Sequence, residues 1–322
     1  MTRDFVIGVD MGGTNLRCAA VSRAGKILLM QTRPANASDS AASVADNIVA
    51  GVLSLENSAR RLGKTVGIGV AVPGPLNVST GIVYAAPHVK AWRSFPLRRK
   101  LESALGRRVI IENDANAWAL GEFWRGAARG RRHVVLLTLG TGVGGALIVD
   151  GRLVHGRTGM AAELGHVTVE PNGMPCDCGA SGCLEAYASA SGMRGLLAKE
   201  SKSRRTLRSR YLDRQGNFSV RQMTAAARAG DARARRIFAI AGRYLGIAIA
   251  SFINIFNPEM IVIGGGVGGA LWLMRSEMMR EVRARAFKDA VAQTRIVRAA
   301  LGGGAGVIGA AKAALDAIEI KV

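Results

Sequence analysis

The sequence predicts a two-lobed α/β protein, and three observations support this fold class. The chain has 322 residues and a mass of 33.8 kDa, which is more than a single hydrophobic core usually serves. Apolar residues make up 49% of the chain and 41 residues are glycine, a composition typical of an α/β protein with many tight turns. The order of strand and helix patterns also restarts partway along the chain. A ligand cleft between the two lobes is therefore expected.

The first lobe is predicted to be the smaller one and to span residues 1–114. Strands are indicated by short apolar runs between turn residues, and helices by apolar residues at intervals of three and four. In the order β-β-β-α-β-α-β, the elements cover residues 5–10, 16–22, 26–32, 44–62, 65–73, 97–105 and 108–113.

The second, larger lobe is predicted over residues 115–304 and repeats the glycine-jointed pair of strands. Asp150-Gly151 suits the tight turn that ends this pair. The predicted elements are a helix at 115–123, strands at 133–142 and 143–151, a helix at 231–256, a strand at 260–265 and a helix at 267–286. A helix at residues 306–317, within the last segment 305–322, is expected to pack back on the smaller lobe.

Basic residues outnumber acidic ones by 44 to 23, and the formal net charge is +21. Such a charge favours polyanion binding, but few aromatic residues accompany the arginines to stack nucleobases. We interpret most of them as a solvated surface, and residues 199–215 remain a candidate polyanion-docking segment. No nucleic-acid partner is expected.

No membrane or secretion signal is expected. The longest uncharged apolar stretch, residues 260–274, is shorter than the roughly 18 residues that a membrane span needs. The opening MTRDFVIGVD contains two acidic residues and no long apolar core, unlike a signal peptide. A cytoplasmic location is predicted.

Two glycine loops are candidates for binding phosphate groups. Loop 1 is DMGGTN at residues 10–15, and loop 2 is LTLGTGVGG at residues 137–145. Glycines let backbone N–H groups close around phosphate oxygens, and the acid of loop 1 can hold a hydrated Mg²⁺ beside them. A plain hairpin turn is the alternative interpretation of loop 1.

The glycine spacing also raises a dehydrogenase alternative. Loop 2 contains G-x-G-x-x-G, but a strand follows it, whereas the dinucleotide fingerprint must open a helix. A second match, Gly264, Gly266 and Gly269, does lie between a strand and a helix. Because it falls in the last fifth of the chain, it leaves no room for two mononucleotide-binding halves. We interpret it as a nucleoside-binding glycine turn.

The triplet Glu112-Asn113-Asp114 lies where a strand meets a helix. An aspartate projecting from a strand end can accept a hydroxyl proton while the oxygen attacks a γ-phosphorus. Helix capping is the alternative role, since Asn and Asp cap helices well.

The most specific pattern is ELGHVTVEPNGMPCDCGASGCLEAYAS, residues 163–189. Three thiolates and one imidazole can form a closed tetrahedral Zn²⁺ site without an open position, so a zinc there would be structural. The candidate ligands are His166, Cys176, Cys178 and Cys183. Glu163 and Glu185 flank this cluster as acceptors for hydroxyl groups. Clustered thiols fit a reducing compartment better than a disulfide framework.

These motifs resemble those of the ROK family of sugar kinases and repressors, and within it most those of the bacterial glucokinases. The segments that carry the resemblance are DMGGTN, AVPGPLN, ENDANA, LTLGTGVGG and the long run from ELGH to CLEAYAS. The resemblance implies a two-lobed actin-like ATPase fold, a duplicated ribonuclease H-like unit. It also implies ATP-dependent phosphorylation of glucose at the 6-hydroxyl and a homodimer or homotetramer.

The resemblance assigns roles to individual residues. Asp114 would be the general base, and ATP, Mg²⁺ and structural Zn²⁺ would be the cofactors. The implied sugar contacts are Gly74, Asn113, Asp114, Glu163, His166 and Glu185. The implied nucleotide contacts are Asp10, Gly12, Gly13, Thr14, Asn15, Thr138, Gly140, Thr141, Gly142, Gly264, Gly265 and Gly266.

Two further expectations follow from the resemblance. Because the zinc cluster flanks the sugar contacts, loss of Cys178 is expected to weaken folding and sugar binding before it affects ATP. Ala162 departs from the family pattern, since many relatives have glycine before the glutamate of ELGH.

Other functions stay open. A repressor or sugar-sensing regulator of this family would need a DNA-binding helix-turn-helix before the first strand, and only four residues precede Phe5. A polyphosphate-dependent glucokinase would suit the basic charge, but members that use this donor generally lack the zinc cluster. An N-acetylhexosamine kinase shares every motif above. Glucose is preferred on overall likeness.

Overall fold

The computed structural model describes residues 4–86, 89, 91–200 and 209–319. The strands are β1 Phe5–Met11, β2 Asn15–Ser22, β3 Ile27–Pro34, β4 Thr65–Val72, β5 Leu76–Asn77, β6 Ile82–Ala85, β7 Arg93–Phe95, β8 Ile110–Asn113, β9 Val134–Leu139, β10 Val143–Val149, β11 Arg152–Leu153, β12 Met260–Gly264 and β13 Arg295–Arg298. The α-helices are α1 Ala41–Ala59, α2 Leu97–Leu105, α3 Asp114–Arg125, α4 Glu185–Ala188, α5 Ala190–Glu200, α6 Val220–Arg228, α7 Ala232–Phe256, α8 Gly265–Gly268, α9 Leu271–Arg285, α10 Lys288–Gln293 and α11 Ala305–Glu319.

The first sheet has the order β3-β2-β1-β4-β8. Its first three strands pair antiparallel, and β4 and β8 continue it in parallel. Helix α11 packs on β1 and β4 so closely that a Cβ on Gly8 would lie 1.9 Å from the carbonyl oxygen of Val307. Only glycine leaves room for this helix at that point of the sheet.

The second sheet has the order β11-β10-β9-β12-β13. Here too an antiparallel hairpin, β9 and β10, is followed by strands in parallel. At the predicted turn Asp150 and Gly151 both have positive φ, 51° and 75°, as a tight two-residue hairpin turn requires. The two sheets share one strand order, which confirms the predicted duplicated α/β fold.

The chain forms two compact units. Unit 1 comprises Met1–Arg131, Arg152–Ala162 and Ala299–Val322, and unit 2 comprises Arg132–Gly151 and Glu163–Arg298. The predicted division at residues 114 and 304 therefore differs from that of the compact units. Helix α3, which packs against α11, and the segment 152–162 both belong to unit 1.

Several details differ from the sequence-based element predictions. A small sheet, β5-β6-β7, follows β4 in the chain, and its strands are too short to show an apolar period. The predicted helix at 267–286 is divided into α8 and α9, because Gly268 at the end of α8 and Gly269 directly after it disfavour a continuous helix. Strand β13, four residues long, was not predicted.

Among the described residues, α7 is the helix long and apolar enough to cross a membrane, with a mean hydropathy of 1.6 over its most apolar window. However, 61% of that window is buried inside the protein. Helix α7 packs mainly against α9. We therefore interpret α7 as the core helix of unit 2.

Part of the predicted polyanion-docking segment, residues 201–208, lies outside the described residues. At the end of this segment, Arg210 and Tyr211 contact Asp231 at 3.1 and 3.0 Å. Asp231 also caps the first turn of α7 through two backbone N–H groups. This end of the basic segment is thus anchored to unit 2.

Candidate active site and metal cluster

Loop 1 is the tight turn between β1 and β2. The backbone N–H of Gly12 donates to the carbonyl of Asn15 at 2.9 Å, and Gly13, Thr14 and Asn15 are exposed. Strand β1 extends one residue further into the loop than predicted, since Met11 still pairs with Leu16. The loop therefore presents three exposed residues, one of which carries a hydroxyl group.

Asp10 stands at the base of loop 1 with only 17% of its side chain exposed, and Arg17 lies 3.6 Å away. Burial raises the pKa of the Asp10 carboxyl group, and the charge of Arg17 opposes that rise. A Cβ on Gly306, in the first turn of α11, would lie 2.6 Å from this carboxyl group. The carboxylate is thus held between one cation and the start of a helix.

Loop 2 and the glycine turn after β12 line one cavity of about 880 Å³ within unit 2. Loop 2 contributes Gly140 and Thr141, and the glycine turn contributes Gly266. Gly265 has a φ of +81°, and a Cβ there would lie 2.3 Å from the carbonyl oxygen of Leu139. The turn therefore needs glycine to pass this close to β9, and Gly264 ends strand β12 just before it.

The third wall of this cavity was missed by the sequence analysis. It is formed mainly by one face of α6, with Val220, Arg221, Thr224, Ala225 and Arg228. The guanidinium of Arg228 also lies over the Trp272 ring, 5.4 Å from its centroid. The amphipathic pattern of α6 could have revealed the helix, but not which of its faces lines the cavity.

Asn113 and Gly74, two predicted sugar contacts, are hydrogen-bonded to each other in unit 1. The side-chain N–H of Asn113 donates to the Gly74 carbonyl at 3.2 Å, and its oxygen caps α3 by accepting from the N–H groups of Ala115 and Asn116. Asn113 therefore does cap helix α3, which is the alternative role considered for this triplet. An amide has two N–H groups, so one remains for a ligand.

Asp114 is the first residue of α3. Its Oδ1 accepts from the N–H of Ala115 at 2.9 Å. The strand end β8 and the capped helix start thus fix the position of this carboxylate.

A second contact that the sequence analysis missed joins Glu112 to His155. Glu112 is only 4% exposed, and its Oε2 lies 2.7 Å from Nε2 of His155. The other oxygen accepts from the backbone N–H of Asn113 and the side chain of Asn116. Because 43 residues separate the pair, no local pattern could have indicated it.

The four predicted metal ligands meet in one cluster. Their ligand atoms all lie within 4.8 Å of one another. Nδ1 of His166 is 3.7 Å from Sγ of Cys176, and Sγ of Cys178 is 3.7 Å from Sγ of Cys183. A tetrahedral ion with bonds of about 2.3 Å to sulfur and 2.0–2.1 Å to nitrogen needs similar separations. The donor set and its spacing therefore fit a zinc ion.

Two carboxylates accompany the cluster. Glu163 precedes the turn Leu164–His166, whose backbone brings the His166 N–H to the Glu163 carbonyl at 3.0 Å. Desolvation raises the pKa of the Glu163 carboxyl group, His166 opposes this rise and Glu185 adds to it. Glu185 begins α4 and contacts the N–H of Val143 in loop 2.

Comparisons with known proteins agree on one family. The sequence profile of the ROK family matches residues 6–317. The glucokinase of Halalkalibacterium halodurans is 39% identical over 313 residues, covering 96% of this chain and 94% of the relative. The crystal structure of a ROK family glucokinase from Streptomyces griseus in complex with glucose and AMPPNP has a TM-score of 0.81 at 32% identity, covering 97% of this chain and 99% of the other.

The fold is also shared with a regulator. The crystal structure of a ROK family transcriptional regulator, a homologue of the E. coli MLC protein, has a TM-score of 0.85 at 28% identity. The match covers 96% of this chain but 77% of the regulator. The fold alone therefore does not distinguish a kinase from a regulator. The distinction has to rest on the side chains of the site.

Proposed function

The chain belongs to the ROK family, and we propose that it is an ATP-dependent hexose kinase that phosphorylates glucose at its 6-hydroxyl group. The observation that carries this proposal is the cavity of unit 2, where loop 2 and the glycine turn meet. A regulator that only senses sugar has no need of a phosphate-binding loop and a nucleoside-sized cavity at one place. The similarity to glucokinases over nearly the full chain supports the same choice.

Asp114 is the proposed general base. Its carboxylate takes the proton of the sugar 6-hydroxyl while that oxygen attacks the γ-phosphorus of ATP. The bond from the γ-phosphorus to the bridging oxygen breaks, and ADP leaves with the electron pair. The capped start of α3, with Asn113 as its N-cap, supports this role because it holds Asp114 in one orientation.

The nucleotide is proposed to use both loops. Residues Gly12, Gly13 and Thr14 of loop 1, and Thr138, Gly140, Thr141 and Gly142 of loop 2, would surround the phosphates, and Gly264, Gly265 and Gly266 the nucleoside. Of these loop residues, Gly13, Thr14 and Thr141 are exposed. Asp10 and Asn15 fit the oxygen ligands that hydrated Mg²⁺ prefers. Bound Mg²⁺ would neutralise charge on the phosphates.

The metal cluster is proposed to hold a structural Zn²⁺ through His166, Cys176, Cys178 and Cys183. A full set of three thiolates and one imidazole leaves no open position for chemistry. Since Nδ1 of His166 faces the cluster, its Nε2 is the atom proposed to meet a sugar hydroxyl. Gly74, Asn113, Glu163 and Glu185 are the other proposed sugar contacts.

The test is an Asp114→Asn variant in a coupled assay with glucose and ATP. Loss of the base should lower kcat by about 10²–10⁴-fold, while glucose affinity measured by calorimetry changes little because the amide still forms hydrogen bonds. Asp150→Asn, at an exposed hairpin turn, is the matched control and should keep wild-type turnover. Near-normal turnover of Asp114→Asn would refute the base assignment alone.

Substrate choice needs a panel of glucose, mannose, fructose, N-acetylglucosamine and N-acetylmannosamine, each with ATP or polyphosphate. We expect glucose with ATP to give the highest kcat/KM. Preference for an N-acetylhexosamine would leave the kinase class intact and replace glucose, and absence of transfer to every sugar would refute the proposed function. A cytoplasmic location and a homodimer or homotetramer complete the proposal.

A further inference from the structure

Loop 2 is held by the segment that follows the metal cluster, residues 183–191 of unit 2. The backbone N–H of Val143 donates to Oε2 of Glu185 at 2.7 Å. The N–H groups of Ala190 and Ser191 donate to the carbonyls of Gly140 and Thr141 at 2.9 and 3.3 Å. Three hydrogen bonds therefore tie this segment to the loop that lines the nucleotide cavity.

The fit between Glu185 and loop 2 is close. A Cβ on Gly142 would lie 2.3 Å from Oε2 of Glu185, so the loop brings its backbone directly against the carboxylate. The other oxygen, Oε1, is 3.8 Å from Sγ of Cys176. One carboxylate thus faces loop 2 with one oxygen and the metal cluster with the other.

The cluster also restrains the spatial position of the backbone just before Glu185. Cys183 is fully buried and lies two residues before Glu185, and the N–H of Leu184 between them donates to the Val167 carbonyl, beside His166. A metal bound to Cys183 and His166 would therefore fix both chain segments that this hydrogen bond joins. A loop already held in its binding conformation loses less conformational freedom when its ligand arrives.

We propose that Glu185 is a positioning residue that links the metal cluster to loop 2, so that the metal-loaded protein binds the nucleotide phosphates more tightly than the metal-free protein. This inference rests on the proposed function of the cavity. It assigns Glu185 a task for the nucleotide in addition to its proposed sugar contact. It also changes the expectation for Cys178, because loss of the metal then weakens nucleotide and sugar binding together.

The first experiment measures binding of AMPPNP with magnesium in the absence of sugar, which removes any sugar contact from the result. Glu185→Ala leaves loop 2 less ordered in the free protein, and the cost of ordering it when the nucleotide binds should raise the dissociation constant about tenfold. Glu185→Gln keeps an acceptor oxygen and should stay within about threefold of wild type. Glu170→Gln is the matched control, because its carboxylate accepts from Tyr244 at 3.3 Å instead.

The second experiment follows amide hydrogen exchange of Val143 in the wild-type protein with zinc and after its removal by a chelator. Exchange should be about tenfold faster in the metal-free protein and in Glu185→Ala, with AMPPNP affinity lowered in parallel. This arm decides the question even if Glu185→Ala fails to fold.

The outcomes separate the two proposals. If the wild type phosphorylates glucose and binds AMPPNP, but zinc removal and Glu185→Ala change neither AMPPNP affinity nor Val143 exchange, Glu185 has no positioning role. If the wild type neither binds AMPPNP nor phosphorylates any sugar, the proposed function itself fails.

Discussion

Replacing His155 by glutamine removes the charged partner of a buried carboxylate in unit 1. Glu112 has 5% of its side chain exposed and His155 has 35%. The remaining partners of Glu112 are neutral donors, the backbone N–H of Asn113 and the side chain of Asn116, at 2.9 and 3.0 Å. The substitution therefore leaves the negative charge hydrogen-bonded but without a positive charge beside it.

The magnitude follows from the burial of the pair. Breaking a fully buried ion pair costs about 3–5 kcal/mol, and the partial exposure of His155 reduces this to about 1–3 kcal/mol. The hydrogen bond to Glu112 raises the pKa of His155, against the opposing effect of burial. The stabilisation is thus fully present below about pH 6.5, the ordinary value, and is lost as the pH rises through the raised folded-state pKa.

Urea denaturation at about pH 6 and about pH 9 tests this reasoning. The difference in free energy of unfolding between wild type and His155→Gln should be about 1–3 kcal/mol at the lower pH and clearly smaller at the higher pH. His133→Gln is the matched control, since His133 lies 3.6 Å from Asp150, whose side chain is 64% exposed and not buried like that of Glu112. Equal differences at both pH values would show that the charge of His155 does not stabilise Glu112.

Three other predictions concern the cluster, a buried carboxylate and a strained backbone. Cys178→Ser should lower zinc content and melting temperature together, and full zinc retention by elemental analysis would contradict the ligand assignment. Glu122→Ala removes a fully buried acceptor of the N–H groups of Ala127, Ala300 and Leu301. It should lower the free energy of unfolding, measured by urea denaturation, by about 3 kcal/mol or more. A decrease below about 1 kcal/mol would contradict this structural role of Glu122. Ala162 has a φ of +61°, so Ala162→Gly should raise the free energy of unfolding by up to about 1 kcal/mol, and a destabilised variant would exclude strain there.

The metal cluster and the glycine loops could be predicted because their signals are local. Cys176, Cys178 and Cys183 lie within eight consecutive positions, so a short turn can bring them to one ion. Loop 1 is the turn of a hairpin, and the antiparallel pairing of β1 with β2 places its ends side by side. The duplicated order of elements was likewise readable from repeated patterns.

The strained backbone of Ala162 illustrates the limit of a resemblance. The sequence shows that Ala162 departs from the glycine of many relatives, but only the folded backbone shows that this position has a left-handed φ, which favours glycine. For Asn113 the two sequence-based interpretations, capping and ligand contact, were both possible. The structure shows the cap, and its hydrogen bonds leave one N–H of the amide for a ligand.

By itself the sequence determined the fold class, the two loops and the set of candidate metal ligands, because each depends on neighbours in the chain. The tertiary structure alone decided that His155 faces Glu112, that α6 forms one wall of the cavity of unit 2 and that Glu185 holds loop 2. These contacts join residues about 40 or more positions apart. They depend on how strands and helices pack, and apolar periodicity specifies which face of an element is buried but not which distant side chain it meets.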